Sequence, residues 1–63
     1  MDYINLKNDK TYDVVSMDVI NATNEQDGQR MVAYIGEKGD GSGKKVIYVR
    51  ELNEFNEKFV LKR

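Results

Sequence analysis

Apolar residues in this chain recur mainly with the two-residue period of β-strands. The clearest run is Lys45-Val46-Ile47-Tyr48-Val49-Arg50, which leads straight into Glu51-Leu52-Asn53-Glu54-Phe55, an acidic segment with two large apolar anchors. The pattern predicts that residues 45–50 form a central strand on which the earlier strands close. Residues 29–35 form another strand, with Met31, Ala33 and Ile35 on one face and Val32 and Tyr34 on the other. Both faces are apolar, as in a strand buried or used on both sides, and Gly36 is expected to end it. Residues 11–22 are the longest strand candidate, because Thr11, Tyr12, Val14, Val15, Val19 and Ile20 all favour extended backbone. A helix competes there, but four β-branched apolar residues in twelve weigh against it. The alternation slips at Val14-Val15: Tyr12 and Val14 share one face, whereas Val15, Met17 and Val19 share the other. Such a slip predicts a bulge or a strong bend.

Turn chemistry separates these runs. Lys7-Asn8-Asp9-Lys10 reads as a turn, since Asn and Asp bond their own backbone and tolerate unusual dihedral angles. Before it, Tyr3, Ile4 and Leu6 fit a short edge strand, a flap over the core or a disordered start. Residues 23–28 end in Asp27-Gly28, a pair suited to tight hairpin turns. Residues 37–44 contain three glycines in five positions and read as an exposed, flexible loop. The tail has two readings. Leu52, Phe55 and Phe59 are spaced as one helix face. Alternatively, Leu52 and Phe55 share a 3₁₀ turn and Phe59 and Leu61 belong to a last strand, which covers an otherwise open edge. The second reading is preferred. The fold class is therefore all-β, about five antiparallel strands in a single small domain spanning residues 1–63, with a short 3₁₀ turn before the last strand.

Size makes that domain marginal. With 63 residues, a chain buries only roughly 60 % of the surface it exposes when unfolded. There is no cysteine for a disulfide and no histidine, so zinc has only carboxylates to bind. Self-association is one way to gain buried area. Ten basic and eleven acidic residues nearly cancel, which argues against a general nucleic-acid binder. Residues 1–27 carry two lysines and six acids, and residues 28–63 carry eight basic and five acidic residues, so the halves differ in sign. The start Met1-Asp2-Tyr3 has no signal-peptide character and no run approaches a membrane span. A soluble, cytoplasmic protein without membrane contact is expected.

The order Lys10-x-Tyr12-x-Val14, Met31-Val32-x-Tyr34, Tyr48-Val49-Arg50, Phe55 and Lys58-Phe59 resembles a family of short bacterial and phage domains of unknown function. That family shows Lys-Gly-x-Tyr, Val-Val-Tyr and Trp-Val-Arg-Pro motifs followed by Phe. The likeness covers residues 7–60. Departures are the missing Gly before Tyr12, Tyr48 in place of Trp, Glu51 in place of Pro, and an Ala-x-His-x-Glu-Thr segment reduced to residues 19–25 without His. The resemblance implies a small SH3-like β-barrel and no activity. A family function that used the missing His would not carry over.

Little in the sequence supports catalysis. Without His or Cys the common nucleophilic arrangements are excluded, and a barrel this small leaves little room to desolvate a carboxylate pair. Gly39-Asp40-Gly41-Ser42-Gly43-Lys44 fails as a phosphate loop, because Lys38 stands where a Gly is needed and Lys45 where Ser or Thr is needed. It also offers too few carboxylates for calcium. No cofactor and no metal are expected, and the chain is read as a non-enzyme. Tyr34, Lys45, Tyr48 and Arg50 are the candidate binding residues, since small barrels stack bases on aromatic rings and hold phosphates with Arg and Lys. The plainer reading is that both tyrosines are half-buried with wet hydroxyls, and that Arg50 pairs with Glu51, Glu54 or Asp18. Asp13, Asp18, Glu51, Glu54 and Glu57 are read as solvated surface, with a mimic of nucleic-acid phosphate as the alternative. The function expected is a non-enzymatic protein-binding module, in the phage context a modulator of a host factor. The alternative is binding of nucleic acid or a small anionic ligand at the four named residues, and a homo-oligomer is a further partner reading.

Overall fold

The computed structural model describes every residue except Gln26, so that position of the 23–28 loop expectation lies outside the described residues. Among the described residues, five strands and one helix follow in order: β1 (Asp2–Asn5), β2 (Thr11–Asn21), β3 (Gln29–Glu37), β4 (Lys45–Glu51), α1 (Leu52–Lys58) and β5 (Phe59–Leu61). All strand pairs are antiparallel, in one sheet of order β4-β3-β2-β1-β5. The all-β expectation holds, but the sheet is open. The strand β4, expected to be central, is one edge, and β5 is the other.

The turns form as their side chains dictate. Between β1 and β2 the Asn5 side-chain oxygen accepts from the Lys7 and Asn8 backbone N–H groups, and that of Asn8 accepts from Lys10 N–H. Asp9 takes the positive φ of 60° that Asp tolerates. At the β2–β3 end Gly28 adopts φ 90°, and its N–H bonds the Asn21 carbonyl at 3.0 Å. The slip foreseen at Val14-Val15 is real. Pairing runs Val14↔Tyr34 and then Ser16↔Ala33, so one extra β2 residue is inserted there, and a second insertion falls between Ser16 and Val19. Each bends the strand and raises its twist.

Gly36 does not end β3. It lies inside the strand opposite Val46, and β3 continues to Glu37. Its missing side chain serves packing: a Cβ there would run into Cε2 and Cδ2 of Tyr12. A glycine within a strand often marks such a close approach.

The tail combines the two sequence readings. Residues 52–58 form an α-helix, not a 3₁₀ turn, and a short strand follows it. Glu51 supplies the cap: its carboxylate accepts from Asn53 N–H at 2.8 Å and Glu54 N–H at 3.1 Å. The Glu54–Lys58 pair, four residues apart on the helix, supports it, and Arg50 near the end of β4 ties Glu54 to the sheet. At the other end Phe59 N–H bonds the Phe55 carbonyl, and the chain extends into β5, which pairs with β1. The helix thus carries the chain from one sheet edge to the other across a face. It occupies the place where strand closure of a barrel was expected.

That face holds the core of Val14, Val32, Tyr34, Phe55 and Phe59, with Tyr3, Tyr12, Met17, Tyr48 and Leu52 packed against it. Val32 and Phe55 are fully buried. All four tyrosines and both phenylalanines of the chain join one network of ring contacts. Phe55 and Phe59 stack in parallel at 4.3 Å, and Tyr34 touches Tyr12, Tyr48, Phe55 and Phe59. Large rings give a short chain the most buried area per residue, which explains how a domain without disulfides gathers a core.

Candidate functional site

Strand alternation divides the four sequence-predicted site residues. Tyr34, Tyr48 and Arg50 occupy even positions on β3 and β4 and face the helix. Lys45 occupies an odd position opposite Glu37 and belongs to the other face. The first three come together. Tyr34 and Tyr48 stack with centroids 5.6 Å apart. Arg50 Nε donates to the Tyr34 hydroxyl at 3.1 Å, Arg50 Nη1 pairs with Glu54 at 2.8 Å, and the guanidinium lies 5.8 Å from the centre of the Phe59 ring. The Tyr34 hydrogen bond is the main reason the Arg50 pKa is raised, with Glu54 adding to it. Of the three carboxylates named for Arg50, Glu54 is the partner.

Tyr34, Tyr48 and Arg50 reach the wall of a cavity of about 250 Å³, shared with Asn5, Asn8, Lys10, Tyr12 and Phe59. Sequence reasoning missed Lys10 as a second cation here, because the β1–β2 turn brings it near through pairing that no local motif encodes. The cavity groups are largely satisfied internally. Tyr34 is 3 % exposed, which leaves no free ring face for a base. The Tyr48 hydroxyl donates to the Glu37 carbonyl at 3.0 Å, and Asn8 Nδ2 donates to the Tyr12 hydroxyl at 3.3 Å.

Lys45 lies at a wider groove of about 570 Å³ whose wall includes Asp2, Asp13, Ile35 and Glu37. Asp13 there pairs with the N-terminal ammonium at 2.9 Å. Among the described residues no group of three or more acidic, His or Cys side chains is placed to hold a metal. In the β3–β4 loop, Asp40 accepts from Ser42 N–H at 2.9 Å. Hydrogen bonds from Ser42, side chain first and backbone next, hold the Asp40 pKa below the usual aspartate value. This is a turn device, and the Lys38 pair at 3.8 Å adds little.

The sheet face away from the helix has another character. Cross-strand pairs set Val49 beside Ala33, Ile47 beside Ile35, and Val19 beside Met31. Ile47 and Val49 are 67 % and 57 % exposed although both are strong strand formers. Charged residues bound this apolar row, with Lys45 opposite Glu37 at one end and Glu51, opposite Met31, at the other. No described helix is long and apolar enough to cross a membrane. Compared with protein families, curated proteins and solved structures, the chain matches none.

Proposed function

We propose that this chain is a non-enzymatic protein-interaction module, and that it binds a polypeptide through the free edge and outer face of β4. The observation that carries the reading is the exposure of Ile47 and Val49 on an edge strand. An edge strand of this kind is a template for a further strand, with backbone bonds giving affinity and alternate side chains giving specificity. Natural edges are normally blunted by charge, proline or shortness. The opposite edge, β5, has only three residues before Lys62 and Arg63, whereas β4 has seven residues and no proline. Kinship with SH3-like domains belongs to this proposal. It is supported by five consecutive antiparallel strands with a helical segment before the last, although here the sheet stays open.

The test is affinity capture from a bacterial lysate, chosen because the sequence resembles bacterial and phage domains. The wild type and an Ile47→Glu/Val49→Glu variant are compared at micromolar concentration. A protein retained by the wild type and lost from the variant supports the reading. Equal retention by both, or none by either together with no self-association, contradicts it.

A second reading has its own observation, the cavity that joins Tyr48, Arg50 and Lys10. A small anion there would be held by two cations, and binding would weaken steeply with salt. Titration with inorganic phosphate or a mononucleotide tests it. Binding that is lost in Lys10→Ala supports it, and no heat or shift at low salt removes it.

A further inference from the structure

We infer that the strand accepted by β4 is β4 of a second copy, paired antiparallel about a two-fold axis at Tyr48. This rests on the interaction-module reading above and names its partner.

The backbone fixes which residues can pair. Lys38 N–H bonds the Lys44 carbonyl at 2.7 Å, and the β3–β4 register continues from there without a slip, through Gly36↔Val46 and Tyr34↔Tyr48 to Val32↔Arg50. Hydrogen-bonded pairs alternate along an antiparallel ladder. The backbone groups of Val46, Tyr48 and Arg50 therefore point to β3, and those of Lys45, Ile47, Val49 and Glu51 point away from the sheet. A new strand on this edge must bond through the odd-numbered residues.

The side chains then select one register. With the two-fold axis at Tyr48, Ile47 faces Val49 of the second copy and Lys45 faces its Glu51, whose carboxylate also caps α1, and symmetry repeats each pair. Both apolar residues that are most exposed on β4 are matched with each other, and the charges at the two ends are opposite. Such cross-strand pairs are the unit of sheet stabilisation. Moving the axis to Ile47 sets Lys45 against Val49, and moving it to Val49 sets Ile47 against Glu51. Each shift loses both charge pairs. The outward-bonding residues Lys45, Ile47, Val49 and Glu51 are thus complementary about Tyr48, whereas the inward set places Val46 beside Arg50. Two copies make a continuous ten-stranded sheet with both β4 edges removed, a closed two-fold assembly. A domain this small gains buried area in the process.

The chain has no cysteine, so introduced thiols report cleanly. Ile47→Cys and Val49→Cys are made separately, at exposed positions, and mixed under mild oxidation. In the inferred register the two thiols face each other across a hydrogen-bonded pair with Cα atoms about 5.5 Å apart, within disulfide reach. Like positions are diagonal, about 7–8 Å apart, and bridge poorly. The expected result is a mixed covalent dimer forming at least about tenfold faster than either self-linked one. Faster self-linking of Ile47→Cys or of Val49→Cys overturns the register. Sedimentation of the unmodified chain supplies the second measurement. The expected mass approaches twice 7.3 kDa at high concentration, and Lys45→Glu weakens association by about tenfold. A single-chain mass up to ~1 mM overturns the inference. A monomer that still captures a foreign protein in an Ile47- and Val49-dependent way leaves the interaction-module reading standing. Loss of both removes that reading too.

Discussion

Replacing Gly36 with alanine destabilises this domain through the ring of Tyr12. The added Cβ falls well inside contact distance of Tyr12 Cε2 and Cδ2. The ring has little room to withdraw, since it stands edge-on against Tyr34 and Phe59 with centroids 5.5 Å away in each case, and its hydroxyl accepts from Asn8. Overpacking of this kind costs about 1–3 kcal/mol. The lower entropy of alanine in the unfolded chain offsets about 0.4–1 kcal/mol. The net loss is about 1–2 kcal/mol, a large part of the ~3–5 kcal/mol that a core of this size supplies. At about 4–8 °C per kcal/mol for small domains, the melting temperature falls by roughly 5–15 °C. Thermal and urea unfolding followed by circular dichroism measure it, with Tyr12→Ala as the partner background. Once the ring is gone, Gly36→Ala is expected to be neutral or stabilising. Equal stability of Gly36→Ala and wild type, or the same loss in the Tyr12→Ala background, refutes the packing argument.

Other perturbations test separate contacts. Phe55→Ala removes a fully buried ring stacked on Phe59 and costs about 3–5 kcal/mol, so the chain is expected to lose its cooperative unfolding transition. Arg50→Ala deprives the buried Tyr34 hydroxyl of its donor and costs about 1–3 kcal/mol, read as a shift in urea midpoint. Glu51→Ala removes the carboxylate that caps α1 and costs about 0.5–2 kcal/mol, whereas Glu51→Gln keeps an acceptor and retains most of it. The depressed pKa of Asp40 means that its loop contact is present above the unfolded-state aspartate pKa. The contact is lost as pH falls through the lower folded value. An NMR titration is expected to show an Asp40 midpoint below the usual aspartate value, and Ser42→Ala to raise it.

Much of this fold was legible because side-chain period and turn chemistry are local. The slip at Val14-Val15 gave the bulge, the Asn-Asp turn at residues 7–10 gave the first hairpin, and the residues of β3 alternate as read. The misplacement of β4 has a physical cause. Ile47 and Val49 are as apolar as core residues, so an exposed edge reads like a buried centre. The position of β1 between β2 and β5 depends on pairing between chain ends, which local pattern does not encode. The helix was half legible, through the spacing of Leu52, Phe55 and Phe59. Its cap is a glutamate, outside the usual Ser, Thr, Asp and Asn set. Of the site residues, Lys45 was separable from Tyr48 and Arg50 by parity alone. The bond from Arg50 to the Tyr34 hydroxyl was not, because it joins strands whose register the sequence leaves open.

Residue-resolved amide hydrogen exchange along β4, at low and high protein concentration, tests the central claim most directly. The amides of Val46, Tyr48 and Arg50 are predicted to be slow at both concentrations, and those of Ile47 and Val49 to be fast when dilute and slow when concentrated. Fast exchange at Ile47 and Val49 at every concentration, or slow exchange at all five residues in the dilute monomer, would contradict an open edge that a second copy completes.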